Sequence, residues 1–241
     1  MSLQTAISRS VLSDQVKDRL LQAILTGRYP PGSRIVETLV ARELGTSQAP
    51  VREALRDLEA LGLVQIEPFR GARVRVPTTD ELLEAFAVRS ELESLGARLA
   101  VGRLSDQDIV DLGADLQEMR RAADAGDARA QAVADARFHA RIIDLSGNRT
   151  LGRVWRYLEP FSRTYITVVS PGADLHQIAD LHVDVEQALR LRDPAAAELA
   201  IERHFSEAGA ILRQLWREAA PMVRPPPRQP PVRRSAGARA R

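Results

Sequence analysis

Apolar residues recur at helical spacing over most of this chain and alternate with polar residues over only one short region. The first stripe covers residues 11–27, where apolar side chains return every three or four positions and predict a helix. Two prolines and a glycine then require a turn at residues 29–32, and a short helix is expected at about 36–44. A second long stripe covers residues 47–61. After an initial helix, the pattern thus predicts two helices joined by a tight turn.

The helix predicted at residues 47–61 has two distinct faces. One is an apolar stripe made of Val51, Ala54, Leu55, Leu58 and Leu61. On another face Gln48, Arg52 and Arg56 lie four positions apart, where they can reach base edges and phosphates of DNA. Ser47 can cap the helix, because a serine hydroxyl accepts hydrogen bonds from first-turn amides. The pattern indicates the second helix of a helix-turn-helix; the alternative is an amphipathic surface helix with solvated arginines.

After this helix the apolar period changes to two, which predicts a β-hairpin at residues 64–76. Arg70, Arg73 and Arg75 belong to this hairpin, where they are expected near phosphates or the minor groove. Three helices and a hairpin make a winged helix-turn-helix. We therefore assign residues 1–77 to a DNA-binding domain.

The chain beyond this domain is almost entirely helical in pattern. Residues 78–220 divide into six helices of about 18–24 residues, and short joints between such helices predict an antiparallel bundle. The breaks lie near residues 102–105, 125–127, 147–148, 170–172 and 193–194. Because the joint at residues 77–80 is short, the two domains should be closely coupled. The predicted fold class is mainly α, an N-terminal winged helix-turn-helix followed by an all-α bundle that binds an effector and dimerises.

Charge is distributed unevenly along the 241 residues. Residues 1–77 carry 11 basic and 8 acidic residues, whereas residues 78–220 carry 17 and 24. A mildly basic head on an acidic body fits a protein that places only one end against a polyanion. Residues 221–241 hold six prolines and six arginines and are predicted to be a disordered tail, either a solvated extension or a non-specific contact to nucleic acid.

Cysteine is absent, which excludes disulfides, cysteine-ligated zinc and thiol catalysis. No run of residues approaches the roughly 18 apolar positions of a membrane span, and the N-terminus lacks the apolar core of a signal peptide. We therefore expect a cytoplasmic protein with no membrane contact.

Three of the four histidines are candidates for a metal site in the helical domain. Asp135 and His139 are four positions apart and share one helix face, and His182 and His204 lie on the two later helices. Three imidazoles and a carboxylate suit a divalent ion such as zinc, nickel or manganese. Spacing does not show that the helices bring these groups together, and histidines bonded within the core are the alternative. His176 follows a break and is expected at the surface or at a pocket rim.

Arg89 is the candidate for binding an anion in the bundle, because apolar neighbours place its face partly inside. A guanidinium there can hold a carboxylate through two parallel hydrogen bonds. A salt bridge to Glu93, four positions further on, is the alternative.

Residues in both halves resemble a known family of bacterial transcription regulators. The head is similar to that of GntR-type regulators at residues 31–35, 45–55 and 62–64 and at Gly71. The helical half is similar to the FCD ligand-binding domain of the FadR subfamily at residues 88–93, 135–139 and 146–148, at His182 and at His204.

The resemblance implies roles for individual residues. DNA contacts are expected from Arg34, Ser47, Gln48, Ala49, Arg52, Arg56, Arg70 and Gly71. Asp135, His139, His182 and His204 match the metal ligands of the metal-containing branch. Arg89 matches a position that often meets the effector carboxylate, and Asn148 matches a pocket asparagine or, equally, a cap of the next helix. Such regulators are homodimers that bind pseudo-palindromic double-stranded operators and respond to small organic acids.

One position departs from the family pattern in a way that bears on specificity. The family usually has arginine where this chain has Gln48, and a hydroxyl residue where it has Ala49. Arginine suits O6 and N7 of guanine, whereas glutamine suits N6 and N7 of adenine. We expect an operator that differs at the base facing Gln48; the alternative is a contact to phosphate or water.

Together these features predict a ligand-responsive transcription regulator that acts as a repressor rather than an activator. Its helical domain is expected to bind a small carboxylate and a divalent metal, with zinc as the first choice. One alternative is a metal sensor in which the cation itself is the signal. A metal-dependent enzyme is another, since such a site can activate water. A purely structural metal is the third.

Overall fold

The computed structural model describes the backbone of residues 4–67, 70–169 and 172–219, and the side chains of residues 12–67, 70–160 and 172–215. Residues 68–69 of the predicted wing, residues 170–171 of one predicted break, and the tail 221–241 lie outside the described residues.

The N-terminal head is a winged helix. Its elements are α1 (Gln4–Leu25), β1 (Arg34–Ile35), α2 (Glu37–Glu43), α3 (Gln48–Ala60), β2 (Val64–Glu67) and β3 (Gly71–Val74). The strands form an antiparallel sheet in the order β1-β3-β2. The apolar stripes of α1 and α3 meet in one core, where Leu20, Val51 and Leu58 are buried. Burial of these stripes fixes which face of α3 remains exposed.

The head differs from the sequence prediction at two places. The first helix begins at Gln4 rather than at residue 11, and it ends at Leu25. The strand β1 was not predicted, because two residues are too few to show a period of two. It exists because Arg34 and Ile35 pair with β3 opposite Arg73 and Ala72.

The C-terminal domain is a helical bundle. Its helices are α4 (Thr79–Val101), α5 (Asp106–Asp124), α6 (Ala128–Leu145), α7 (Arg149–Val169), α8 (Leu175–Asp180), α9 (Val183–Arg190) and α10 (Pro194–Ala219). α4 packs along α10, and α5 packs along α6. The core between them includes Leu112, Met119, Phe138, Ile142 and Leu189, all almost wholly buried.

The fifth predicted helix of the bundle is two short helices, α8 and α9, so the prediction of six helices of similar length was wrong. His182 occupies the N-cap position of α9. Its Nδ1 lies 3.1 Å from the carbonyl oxygen of Ile178 and 3.3 Å from that of Ala179. The amide of His182 bonds to the carbonyl oxygen of Ala179, three positions back instead of four, so the helix is interrupted at the residue whose imidazole enters the core.

Helix starts in the bundle follow the chemistry of their first residues. Ser105 and Asp108 form a capping box at the start of α5, and Pro194 is the first residue of α10. A second capping box, between Thr78 and Glu81, begins α4 directly after the head. Within the described residues, no helix is both long and apolar enough to cross a membrane.

The head and the bundle are in direct contact, and two of their polar contacts involve the wing and α3. Arg75 at the end of the wing forms an ion pair with Glu81 in the first turn of α4. The hydroxyl of Tyr157 on α7 donates a hydrogen bond to the carbonyl oxygen of Ala60, the last residue of α3. The end of α3 is thus bonded directly to the bundle, as expected of closely coupled domains.

Candidate functional site

The exposed face of α3 carries the polar row that the sequence predicted. Gln48, Arg52 and Arg56 are all exposed, while the opposite stripe is buried. The Arg52 Nε donates to Glu37 Oε2 at 2.6 Å, and its Nη2 donates to Gln48 Oε1 at 3.0 Å. Because the carboxamide oxygen of Gln48 accepts from Arg52, its amide group is the part left to face a partner.

The start of α3 differs in one detail from the prediction. Ser47 occupies the N-cap position with extended backbone, but its side chain makes no capping hydrogen bond. Ser47 and Ala49 are both exposed at the N-terminal end of α3. Helix N-terminal amides attract anions such as phosphate, so this end suits contact with the DNA backbone.

The wing is held to the head by Arg34 and Gly71. The Arg34 Nε donates to the carbonyl oxygen of Arg70 at 2.7 Å, which ties β1 to the turn of the hairpin. Gly71 has φ +85°, and a Cβ at this position would lie 2.8 Å from the carbonyl oxygen of Ile35. Only glycine fits such a conformation and such a close approach. The exposed Arg70 is thereby placed beside the strand that carries Arg34.

The other two hairpin arginines are partly buried and bonded within the protein, while their predicted place near phosphates or the minor groove stays a prediction. The Arg73 Nη1 donates to the carbonyl oxygen of Gly32 at 2.7 Å. Arg75 is paired with Glu81 at the joint to the bundle. Arg73 thus holds parts of the head together and Arg75 joins the head to the bundle, whereas Arg70 is the exposed arginine among the described residues of the wing.

The structure brings the four predicted metal ligands together in the bundle. His139 on α6, His182 at the start of α9 and His204 on α10 each present a ring nitrogen, and these atoms lie within 4.8 Å of one another. Asp135 Oδ1 is 3.1 Å from His182 Nε2 and 3.9 Å from His139 Nε2. All three imidazoles are buried.

The outer nitrogen of each imidazole faces a hydrogen-bond acceptor. His139 Nδ1 contacts Glu93 Oε2, His182 Nδ1 contacts backbone carbonyls of α8, and His204 Nδ1 lies 3.3 Å from the carbonyl oxygen of Leu181. In the tautomer with the proton at Nδ1, each ring donates to its acceptor. The lone pairs at Nε2 then point towards the centre of the cluster, as in histidine-ligated metal centres.

Glu93 is the residue at this site whose importance the sequence did not reveal. Its carboxylate is fully buried, accepts from Trp155 Nε1 at 2.6 Å, and forms an ion pair with Arg89 at 2.7 Å. Burial would raise the pKa of Glu93, but Arg89 and His139 outweigh it and lower that pKa to about 2. The salt bridge considered for Arg89 is therefore present, and the spacing of four residues was its only sequence signal.

The electrostatics of the cluster favour an ionised Asp135 and an uncharged His204. Burial opposes ionisation of Asp135, yet the hydrogen bond with His182 and the charges around it hold the Asp135 pKa well below its usual range. Burial and the neighbouring imidazoles lower the pKa of His204 well below its usual value. A neutral imidazole with a free lone pair is the form that binds a metal.

A cavity of about 60 Å³ adjoins the cluster. Arg89 lines it, and the guanidinium carbon lies 5.1 Å from the centroid of the Phe205 ring. The Nε and Nη2 of Arg89 are directed to Glu93. Within the described residues, its Nη1 has no partner, so one donor edge of the buried cation remains for an anion.

Two further predicted residues lie away from this cavity. Asn148 Oδ1 accepts from the amides of Thr150 and Leu151 at 3.1 Å and caps α7. It is absent from the described lining of the cavity, so the cap is the role that the structure supports. His176 is exposed and lies 3.6 Å from Asp124, in agreement with its predicted surface position.

The fold and these surfaces define a winged-helix DNA-binding protein with an all-helical C-terminal domain. Residues 12–74 match the model for bacterial regulatory proteins of the gntR family, and residues 84–207 match the FCD domain. The chain belongs to the GntR family and is a DNA-binding transcription regulator with an FCD domain. The prediction that it is not an enzyme is confirmed by this membership.

Relatives support the assignment along most of the chain. A probable D-xylose utilization operon transcriptional repressor of Paenarthrobacter nicotinovorans is 34% identical over 83% of this chain and 88% of its own length. The gluconate operon transcriptional repressor of Bacillus subtilis is 25% identical over 87% and 88%. The solved structure of Escherichia coli McbR/YncC matches with a TM-score of 0.75 and 25% identity, covering 85% of this chain and 98% of that one.

Proposed function

We propose that this regulator binds a divalent metal ion in its helical domain and a small carboxylate beside it, and that the carboxylate changes its affinity for an operator. In this proposal the chain belongs to the metal-containing branch of the FadR subfamily, and it acts in the cytoplasm, where bacterial DNA is. The regulator is proposed to act as a repressor, in line with the names of the two repressor relatives.

One observation carries the metal proposal: two ring nitrogens face each other beside a carboxylate in a buried space. His139 Nε2 and His182 Nε2 are 3.2 Å apart, and Asp135 lies 3.1 Å from the latter. With both protons at Nδ1, two lone pairs and a negative charge converge in a buried space. Such an arrangement is repulsive unless a cation or a proton lies between these atoms. His204 adds the third nitrogen.

The chemistry of these four side chains fits zinc, with nickel or manganese as alternatives. Asp135, His139, His182 and His204 would hold the ion, and Glu93 would orient His139 from outside. A bound divalent ion supplies a positive centre for an anionic ligand. Arg89 would hold the same anion through its remaining Nη1 donor, at the edge of the cavity.

The proposed DNA complex is a homodimer on a pseudo-palindromic operator. Arg52 and Gln48 on α3 face the major groove in this arrangement, while Arg34 and Arg70 hold the backbone beside the wing. Exposed apolar side chains on the bundle support self-association: Val88, Leu99 and Val154 are 49%, 39% and 44% exposed. The first two lie three helical turns apart on α4.

Metal titration of the full chain tests the metal proposal. After treatment with chelator, zinc is added in competition with a chromophoric chelator, and one equivalent should bind. His182→Ala should remove this binding. His176→Ala is the matched control, since His176 is exposed outside the cluster, and it should bind like the unaltered chain. Equal binding by both variants, or none by the unaltered chain, would overturn the proposal.

Measurements of operator affinity then distinguish a carboxylate-responsive regulator from a metal sensor. An operator is selected from random DNA, and its affinity is measured without metal, with zinc, and with zinc plus a panel of carboxylates. The proposed function predicts that the largest change needs a carboxylate. A full change with zinc alone indicates a metal sensor. Loss of thermal stability in Asp135→Ala with an unchanged carboxylate response indicates a structural metal.

A further inference from the structure

The cavity beside the histidine cluster is polar at one end and apolar elsewhere. Its described polar lining consists of Arg89, Asp135 and the three cluster histidines. The remaining described lining is Phe86, Ala173, Ile178, Leu181, Phe205, Ala208, Ile211, Leu212 and Leu215. Aliphatic side chains of α8 and α10 thus form a wall that begins where the imidazoles end.

The charges at the polar end set the charge of a ligand. Two carboxylates, Asp135 and Glu93, and one guanidinium, Arg89, lie at or beside this end, and the cluster imidazoles are neutral in the metal-binding form. These described side chains carry one negative charge in total, and a divalent ion changes it to one positive charge. One further negative charge makes the buried site neutral. A dianion would leave an excess negative charge where water is scarce, which is costly.

The apolar wall determines the polarity of the part of the ligand that lies away from the cluster. Among the described side chains that line the cavity beyond the cluster, none offers a hydrogen bond. A hydroxyl group placed against this wall would lose its hydrogen bonds to water without replacement. A methylene group placed there gains by leaving water.

We propose that the effector is a monocarboxylate with an aliphatic chain, with its carboxylate at the Arg89 end and its chain against Ile178, Ile211 and Leu212. This inference rests on the proposed function, since it assumes the metal-dependent carboxylate site. Such an effector would differ from D-xylose and gluconate, the compounds in the names of two relatives, because both compounds are rich in hydroxyl groups.

Calorimetric titration of the zinc-loaded full chain tests the inference. The probes are acetate, propionate, butyrate, pentanoate and hexanoate, with malate and gluconate as polar acids and hexanamide as a neutral analogue. Affinity should rise about three- to fourfold for each methylene until the cavity is filled. Hexanamide, malate and gluconate should bind more weakly than pentanoate.

A wall variant tests the place of the chain. Ile211→Ser should flatten the dependence on chain length while the affinity for acetate stays the same. Leu199→Ser is the matched control, since Leu199 is 54% exposed on the same helix, and it should keep the dependence.

The possible results distinguish a failure of the aliphatic-effector inference from a failure of the proposed carboxylate site. Tighter binding of malate or gluconate than of pentanoate overturns the aliphatic inference and leaves the carboxylate site standing. A series without dependence on chain length does the same. If no carboxylate binds the zinc-loaded chain, both the inference and the proposed effector site are wrong.

Discussion

Gln48 is the residue whose side chain most directly decides what the recognition helix reads. Its Oε1 accepts from Arg52 Nη2 at 3.0 Å, so its amide group is the donor that faces outward. Arg52 is itself held by Glu37 at 2.6 Å. The pair therefore presents a fixed group of donors, and their partners on DNA are acceptors such as N7 or phosphate oxygens.

Gln48→Arg should change the operator. Arginine at this position matches O6 and N7 of guanine, and it also removes the acceptor that now holds Arg52. Selection from random DNA with both proteins should show guanine replacing adenine at one symmetric pair of positions, with discrimination of about 1–3 kcal/mol. Identical preferences of the two proteins would mean that Gln48 contacts phosphate or water.

Glu93 is the second residue with a large expected effect, because its carboxylate is the shared partner of Arg89, His139 and Trp155. Glu93→Gln keeps the shape but leaves Arg89 without its counter-charge, which should cost about 3–5 kcal/mol of stability. It also weakens the partner of His139 Nδ1, so zinc affinity should fall by about 10- to 100-fold. Thermal unfolding and zinc competition measure the two effects. Glu91→Gln, at an exposed position of the same helix, is the control and should change neither; unchanged zinc affinity in Glu93→Gln would exclude Glu93 from holding His139.

Particular residues show which parts of the fold and of the site could be predicted from the sequence and which could not. The period of the apolar residues was sufficient to find α3 and the bundle, because burial of one face imposes it. The spacing of Asp135 and His139 was sufficient for two cluster residues on one helix. Glu93 could not be found in this way, since its partners His139 and Trp155 are 46 and 62 positions away, and only the packing of α4 against α6 and α7 joins them.

Among the elements, α7 connects the histidine cluster to the recognition helix. Trp155 on its buried face donates to Glu93, which contacts His139. Tyr157, two residues further on, donates to the carbonyl oxygen of Ala60 at the end of α3. α7 also packs against α1 of the head. A displacement of α7 by a ligand would therefore act on the end of the reading helix.

Tyr157→Phe should reduce the communication between the two sites. The substitution removes one hydrogen bond at the surface between α7 and α3 and leaves the cluster untouched. Zinc affinity should stay unchanged, while the change in operator affinity on adding the effective carboxylate should shrink several-fold, as a loss of coupling free energy of about 1 kcal/mol predicts. Filter binding or fluorescence anisotropy, with and without the carboxylate, measures it.

Arg153→Ala is the control for this element, because Arg153 is exposed on α7 and donates a hydrogen bond to Thr150 in the same helix. It should leave the carboxylate response intact. An unchanged response in Tyr157→Phe as well would show that the signal reaches the head by another contact, such as the ion pair between Arg75 and Glu81.

The whole molecule places its charges so that one end meets DNA. The head is net basic and residues 78–220 are net acidic, so the bundle is repelled by phosphates while the head is attracted. One chain offers one recognition helix, and a single winged helix reads only one half-site. High affinity for an operator then depends on two heads acting together, which the joint at residues 77–80 and the contacts beside it keep in a restricted arrangement.

This restriction makes the spacing of the half-sites a sharp test of the homodimer. Two recognition helices of a dimer enter successive major grooves about 34 Å apart. Insertion of about five base pairs at the centre of the selected operator turns one half-site to the opposite side of the duplex, so only one head can bind. Affinity should fall by about 10²- to 10⁴-fold, the loss expected when a bivalent contact becomes monovalent. Replacing the same number of central base pairs without insertion is the control and should change affinity far less. Equal affinity for the inserted operator would mean that the heads bind independently, and the closely coupled arrangement of head and bundle would then have no part in reading the operator.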